Sequence, residues 1–141
     1  MKVVLDTNVL VSALLNPFGP PARVFDLFMT GSLQLAFDDR ILAEYREVLA
    51  RPRFGFDVDD VSELLEYLQV GGILVAASPL PNPLPVPDDE PFLEVAVAAR
   101  VKALITGNIR HYPVEIRHGI SILSPSDFIA WWQSRQQAQD E

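Results

Sequence analysis

Short apolar runs alternate with longer amphipathic segments along most of the chain. The apolar runs predict β-strands at 2–5, 33–37, 72–76, 103–106 and 121–123. The segments between them, with apolar residues at helical spacing, predict helices at 7–15, 22–29, 41–51, 57–69 and 91–101, and a last one capped by Ser124 or Ser126. Strands that alternate with helices favour a parallel sheet covered on both faces. The pattern therefore predicts an α/β fold with a central parallel sheet of four to five strands.

Prolines recur at every second position from Pro79 to Pro87. Because proline cannot donate a helical hydrogen bond, this segment predicts an extended surface connection. A ligand for a proline-binding domain is the alternative interpretation, which the lack of a flanking basic residue disfavours.

The chain has 141 residues, of which 49% are hydrophobic and none is cysteine. This length and apolar content predict one globular domain at 1–132, followed by a polar C-terminal tail at 133–141. The lack of cysteine excludes disulfide frameworks, zinc knuckles, iron–sulfur clusters and thiol nucleophiles. It also suits a reducing cytoplasm, which is the expected location.

The N-terminal apolar run is interrupted by Asp6 and Asn8 and lacks a small-residue cleavage site, so we expect no signal peptide. No other stretch approaches the roughly 20 apolar residues of a membrane span, and we expect no association with membranes. The formal net charge of −8 argues against a general DNA-coating protein, because phosphate binding is driven by Lys and Arg. It leaves room for a local basic groove, or for carboxylates that a metal ion neutralises.

Two acidic residues occupy positions that this fold would bring to one edge of the sheet. Asp6 follows the first predicted strand, and sites in parallel sheets form at the carboxyl ends of the strands. Glu44 lies at the border of the apolar face of its helix, whereas Glu47 points further away. Each has a simpler interpretation, Asp6 as a helix N-cap and Glu44 as a surface residue paired with Arg40.

A third acidic position opens the helix predicted at 91–101. By helical projection Asp89 and Asp88 flank the apolar face of that helix, with Asp89 preferred, and Glu94 points away. Capping and the helix dipole explain acids here without any function. The three acids belong to different strand–helix units that converge at one edge of the sheet, which favours a shared site.

The turn Thr106-Gly107-Asn108 is the fourth candidate element, although Gly and Asn are also ordinary turn formers. It follows a predicted strand and would face the same crevice as the acids. Clustered carboxylates repel one another, and a divalent cation relieves that repulsion. Oxygen ligands without cysteine favour Mg²⁺ or Mn²⁺, which can activate water to attack a phosphodiester.

Substrate binding requires local positive charge, and residues 100–118 contain four Lys and Arg against one Glu. Arg110 and His111, just past Asn108, are candidates for contacts with RNA phosphates. The alternative is that they are ordinary surface charges. The helix at 57–69 is acidic without matching bases, so we expect RNA to avoid that side.

Four segments together resemble the PIN-domain family of metal-dependent ribonucleases, in particular the PIN-type toxins of prokaryotic toxin–antitoxin systems. They are VVLDTNVLVSALL, ILAEYREVL, PDDEPFLEVAVAA and LITGNIRHYP, and ILSPSDF extends the likeness to nearly the whole chain. The resemblance implies a three-layer α/β/α fold and an endoribonuclease that leaves 5′-phosphate and 3′-hydroxyl ends. It also implies an RNA substrate, a protein antitoxin and a homodimer.

The resemblance also implies roles for individual residues. Asp6, Glu44 and Asp89 correspond to the family's acids and are expected to bind Mg²⁺ or Mn²⁺. Asn108 stands where the family usually has a further aspartate, and its amide can assist but adds no charge. These four are the expected catalytic residues. Auxiliary roles are expected for Asn8, Asp88 and Thr106.

Other functions remain to be distinguished. The main alternative is a PIN-like module that binds RNA or a protein with weak or no turnover, as the neutral Asn108 allows. A receiver-type signalling domain needs an aspartate after a central strand, but the run at 72–76 is followed by Ala77-Ser78-Pro79. A phosphatase of the haloacid dehalogenase type needs an aspartate two residues after Asp6, where this chain has Asn8.

Overall fold

Five parallel strands form one sheet. They are β1 (Lys2–Leu5), β2 (Gln34–Phe37), β3 (Ile73–Leu74), β4 (Ala103–Ile105) and β5 (Ile122–Leu123) in a computed structural model that describes residues 1–140. Their order across the sheet is β3-β2-β1-β4-β5. β1 lies at the centre, where Val3 pairs with Leu35 of β2 and with Ala103 of β4.

Within residues 1–140, six α-helices cover the sheet. They are α1 (Thr7–Leu15), α2 (Pro20–Met29), α3 (Asp39–Leu49), α4 (Val58–Gly71), α5 (Glu90–Ala99) and α6 (Pro125–Asp140). α2 packs against α1 and α6, whereas α3 contacts α4 and α5. Across residues 1–140, none of these helices combines the length and apolar character needed to cross a membrane. The two groups of helices enclose the sheet, which confirms the predicted three-layer α/β/α fold.

The central strand positions the first candidate residue. Val3, Val4 and Leu5 of β1 have no exposed surface. Because helices cover both faces of a parallel sheet, such a strand is a continuous apolar run rather than an alternating one. Asp6 is the first polar side chain after this run, and it therefore emerges at the carboxyl edge of the sheet.

Local side-chain and backbone effects shift several predicted boundaries by a few residues. The helix predicted at 41–51 begins at Asp39, because the Oδ1 atom of Asp38 accepts a hydrogen bond from the Ile41 N–H at 3.0 Å. The helix predicted at 91–101 ends at Ala99, since Arg100 adopts a left-handed conformation with φ 53°. The strand predicted at 72–76 pairs only over Ile73–Leu74 and forms an edge of the sheet.

The proline-rich segment has no helix or strand before the 3₁₀ turn Pro87–Asp89, as predicted. One residue of the segment, Leu84, is buried. Its N–H donates a hydrogen bond to the Oε2 atom of Glu90 at 2.9 Å. This contact fixes the segment to the start of α5, directly beside Asp89.

The C-terminal polar segment continues a helix. α6 extends to Asp140, so residues 133–140 are helical where the sequence predicts a tail. Trp131 and Trp132 of α6 are half-buried, with their rings 5.6 and 6.5 Å from the ring of Phe128. The division into a domain at 1–132 and a separate tail stays a prediction.

Gly72, between α4 and β3, has no room for a side chain. A Cβ atom there would lie 2.6 Å from the carbonyl oxygen of Leu35 and 2.7 Å from that of Leu68, both of them backbone atoms. We expect Gly72→Ala to lower the free energy of unfolding by about 1–3 kcal/mol in urea denaturation, because the backbone must shift. Gly71→Ala is the control, since the nearest atom, Cε2 of Phe28, would lie at an ordinary 3.8 Å. Equal losses in both variants would contradict the prediction.

Candidate active site

Asp6 turns away from the helix it precedes. Asp6 occupies the N-cap position of α1, as the simpler interpretation predicts, but its carboxylate makes no side-chain capping hydrogen bond there. The Oδ2 atom instead accepts hydrogen bonds from Thr106 Oγ1 at 2.8 Å and from the Tyr112 hydroxyl at 3.2 Å. Asp6 is buried, with 4% of its surface exposed. Two residues that follow β4 therefore hold its carboxylate at the edge of the sheet.

Glu44 lies on the half-buried side of α3 and faces α1. Its Oε2 atom accepts a hydrogen bond from the Thr7 hydroxyl. The interpretation of Glu44 as a partner of Arg40 is wrong, because Arg40 instead pairs with Asp38 at 2.8 Å and with Glu94 at 2.7 Å. The helical projection thus correctly distinguishes Glu44 from Glu47, whose side chain is 63% exposed.

Asp89 ends the 3₁₀ turn before α5 and is 8% exposed, whereas Asp88 is exposed. The carboxylate of Asp89 makes no capping hydrogen bond to α5. Its Oδ2 atom lies 2.8 Å from the Nδ1 atom of His111. Capping therefore does not explain this acid, and the preference for Asp89 over Asp88 agrees with the burial of the two side chains.

The loop after β4 is tied to the start of α1. The Gly107 N–H donates to Asn8 Oδ1 at 2.8 Å, and the Asn108 N–H donates to Thr106 Oγ1 at 3.0 Å. A Cβ atom at Gly107 would lie only 3.1 Å from Asn8 Oδ1, which explains the glycine. Asn108 is exposed, and its side chain makes no hydrogen bond to the described residues. Asn8 therefore connects the loop to α1, and Thr106 connects it to Asp6.

The three candidate acids interact electrostatically. Burial raises the pKa of Asp6, Glu44 and Asp89, and the charge of Asp6 raises the pKa of the other two carboxyl groups further. Hydrogen bonds from Thr106 and Tyr112 lower the pKa of Asp6 without cancelling the effect of burial. The charge of Asp6 thus reaches both other acids, although the three come from separate parts of the chain.

The raised pKa of Asp6 predicts how stability depends on pH. The folded protein binds the Asp6 proton more tightly than the unfolded chain, whose pKa is 3.8, so the charge at Asp6 destabilises the fold as the pH rises from that value. Asp6→Asn carries no such charge. In EDTA, urea denaturation should show the stability of wild type, relative to that of Asp6→Asn, falling as the pH rises above about 4. A constant or rising difference would contradict this.

The donor chemistry of the site fits a hard divalent cation. Three buried or half-buried carboxylates supply oxygen ligands and negative charge, which such an ion offsets. The charge of Asp6 raises the pKa of both other carboxyl groups. As the side chains stand, no three Asp, Glu or His residues within 1–139 are placed to hold an ion together. Asp89 faces His111 and Glu44 faces Thr7 instead.

Sequence reasoning missed two tyrosines. Tyr112 has no exposed surface and donates to Asp6, and Tyr45 is 1% exposed and donates to the carbonyl oxygen of Leu5. Burial raises the pKa of both phenols, and nearby acids add to the effect. Both therefore remain protonated donors. The sequence shows an aromatic residue, Tyr112, directly after His111. No local pattern, however, predicts that Tyr112 bonds to Asp6.

Arg110 and His111, the two residues predicted to contact phosphate, have different surroundings in the structure. Arg110 is exposed and makes no ion pair with the described residues. His111, with 37% of its side chain exposed, lies against Asp89. Contact of either residue with RNA stays a prediction, and for His111 the observed partner is a candidate acid.

A family model described as "PIN domain" matches residues 2–110 of this chain. The uncharacterized protein MJ1680 of Methanocaldococcus jannaschii is 30% identical to the chain over 111 residues, which cover 77% of this chain and 71% of that protein. Asp6, Glu44, Asp89 and Asn108 all lie within the range that the family model matches.

Proposed function

The chain belongs to the PIN-domain family, a nuclease-type fold, and on that premise we propose that it is a metal-dependent endoribonuclease. One observation supports the proposal: three buried or half-buried carboxylates contact polar side chains near the carboxyl edge of the sheet. The charge of Asp6 raises the pKa of the other two carboxyl groups. The substrate is RNA, and the reaction is hydrolysis of a phosphodiester bond.

Asp6, Glu44 and Asp89 would hold the ion, and Asn108 would assist through its amide oxygen. When bound, Mg²⁺ or Mn²⁺ stabilises charge on the phosphate and lowers the pKa of water for hydrolysis. The exposed guanidinium of Arg110 attracts the RNA backbone to the loop that carries Asn108.

The surrounding hydrogen bonds orient the carboxylates before substrate binds. Thr106 and Tyr112 both donate to one oxygen of Asp6, which leaves its other oxygen for a cation. Thr7 donates to Glu44, and His111 contacts Asp89. Such contacts to metal ligands fix their orientation and strengthen binding.

Cleavage of a panel of single-stranded and structured RNAs tests the proposal. We expect wild-type protein to cleave at least one RNA in Mn²⁺ or Mg²⁺ and none in EDTA, with 5′-phosphate ends on the products. Undiminished cleavage in EDTA would contradict the proposal, because the carboxylates alone cannot neutralise phosphate charge.

A binding module with weak or no turnover is the second candidate function. Asn108 favours this candidate, because its neutral side chain does not give the ion site the negative charge that an aspartate would supply. RNA binding without cleavage would support this candidate. Asn108→Asp should then restore cleavage if the missing charge is the cause.

We also propose that the protein is the toxin of a toxin–antitoxin pair and forms a homodimer. The groove between α1, α2 and α4, of about 490 Å³, supports a protein partner because it combines apolar walls with an acidic rim. Its apolar side includes Leu14, Phe25, Met29, Leu64 and Tyr67, and its rim includes Asp57, Asp60 and Glu63. A basic amphipathic segment of an antitoxin would complement this groove.

Light scattering would test the proposed homodimer, for which we expect a mass twice that of one chain.

A further inference from the structure

A second cavity lies beside the loop after β4, whose Thr106 donates a hydrogen bond to Asp6. Its volume is about 380 Å³, and it opens between the first turns of α1, the start of α2, the loop after β4 and the start of α6. Asn8 and Asn108 line it, and each follows a residue of the acidic site, Asp6 or Thr106, by two positions. The cavity therefore adjoins the place where the scissile phosphate would lie.

The lining of the cavity is neutral. It contains no Asp, Glu, Lys, Arg or His, although the acids lie next to it. Three prolines and Val9 supply apolar walls, and the polar groups are two amides and two hydroxyls. The hydroxyls of Ser12 and Ser126 and the amide of Asn108 make no hydrogen bond to the described residues. These groups remain available to a ligand with both donors and acceptors.

This chemistry excludes some ligands and favours one. A phosphate would lack a cation in the cavity, and a charged side chain would lack a counter-charge. An RNA base has apolar faces and a polar edge of donors and acceptors, which match the prolines and the neutral polar groups. Small-molecule pockets have the same composition, apolar walls with a few polar groups that set specificity.

We infer that this cavity is a base-binding subsite that selects the nucleotide next to the cleaved bond. The inference rests on the proposed ribonuclease function and adds the determinant of its sequence preference. Asn108, whose backbone is fixed by Thr106, lies between the acids and the subsite and would contact both.

Two variants that fill the cavity from different walls test the inference. Ser126→Phe changes an exposed residue of α6, and Ser12→Phe changes an exposed residue of α1. Ser134→Phe is the control, because Ser134 is exposed on the same helix as Ser126 and does not line the cavity. Binding of fluorescent single-stranded pentamers of A, C or U would be measured by anisotropy in EDTA, and cleavage of the same RNAs in Mn²⁺.

We expect wild type and Ser134→Phe to prefer one pentamer, with a Kd lower by about tenfold, the effect of one well-held base. Both filled variants should lose this preference. Equal Kd values for all pentamers in wild type, or an unchanged preference in the filled variants, would overturn the inference.

The two assays separate this inference from the proposed function. Base-dependent binding that the filled variants lose, without cleavage by any protein, would uphold the subsite and refute the nuclease. Metal-dependent cleavage whose base preference is the same in wild type and in both filled variants would uphold the nuclease and refute the subsite.

Discussion

Asp6→Asn is expected to reduce RNA cleavage by about a thousandfold, the largest effect of any single substitution in the site. Asp6 is buried at the end of the central strand, and its charge is felt by both Glu44 and Asp89. Removing that charge weakens the attraction for a divalent ion, which supplies several kcal/mol of transition-state stabilisation. The rate would be measured under single-turnover conditions at saturating Mn²⁺.

The variant should lose activity without losing its fold. Asparagine can accept the hydrogen bonds of Thr106 and Tyr112 through its amide oxygen, so the contacts seen in wild type can persist. Asp39→Asn is the matched control, because Asp39 also follows a strand at this edge but is exposed. Wild-type rates in Asp6→Asn, or an equal loss in Asp39→Asn, would refute the role of Asp6.

Glu44→Gln should reduce cleavage by about a hundredfold, the second largest effect. Glutamine preserves the size of the side chain and can still accept the hydrogen bond from Thr7, so the change isolates the charge. Glu47→Gln removes a charge one turn along the same helix, where the side chain is 63% exposed and paired with Arg51. The ratio of the two cleavage rates is the decisive quantity, and a ratio near one would show that Glu44 has no special role.

The alternation of short apolar runs with longer helical segments made the fold predictable, and helices such as α3 have a regular apolar face. The boundaries depended on features that periodicity does not contain. Asp38 starts α3 through a single side-chain hydrogen bond, and Arg100 ends α5 through its left-handed backbone. β3 pairs over only two residues at the sheet edge, although its sequence favours a longer strand.

The placement of the candidate acids was predictable because topology brings the carboxyl ends of parallel strands and the adjoining helices to one edge. Their hydrogen-bond partners were not. Tyr112 reaches Asp6 across 106 positions of the chain, and His111 reaches Asp89 from a 3₁₀ turn that follows β4. Local sequence patterns carry no information about such contacts. The prediction of His111 as a phosphate ligand accordingly missed its closest partner.

Asp6 and Asp89 occupy N-cap positions, but neither carboxylate makes a capping hydrogen bond. A capping carboxylate would bond to the backbone of its own helix, as Asp57 does at the start of α4. Asp6 and Asp89 occupy comparable positions but bond to side chains that follow β4. Both acids thus contact residues that follow β4 instead of capping a helix through their side chains, which supports the proposed shared role.

Anomalous X-ray diffraction from crystals soaked in MnCl₂ tests most directly whether Asp6, Glu44 and Asp89 form one divalent-ion site. The account predicts an anomalous peak within coordination distance of carboxylate oxygens from all three residues, with Asp89 released from His111. No peak at this edge of the sheet, or a peak bound only by residues outside this set, would contradict it.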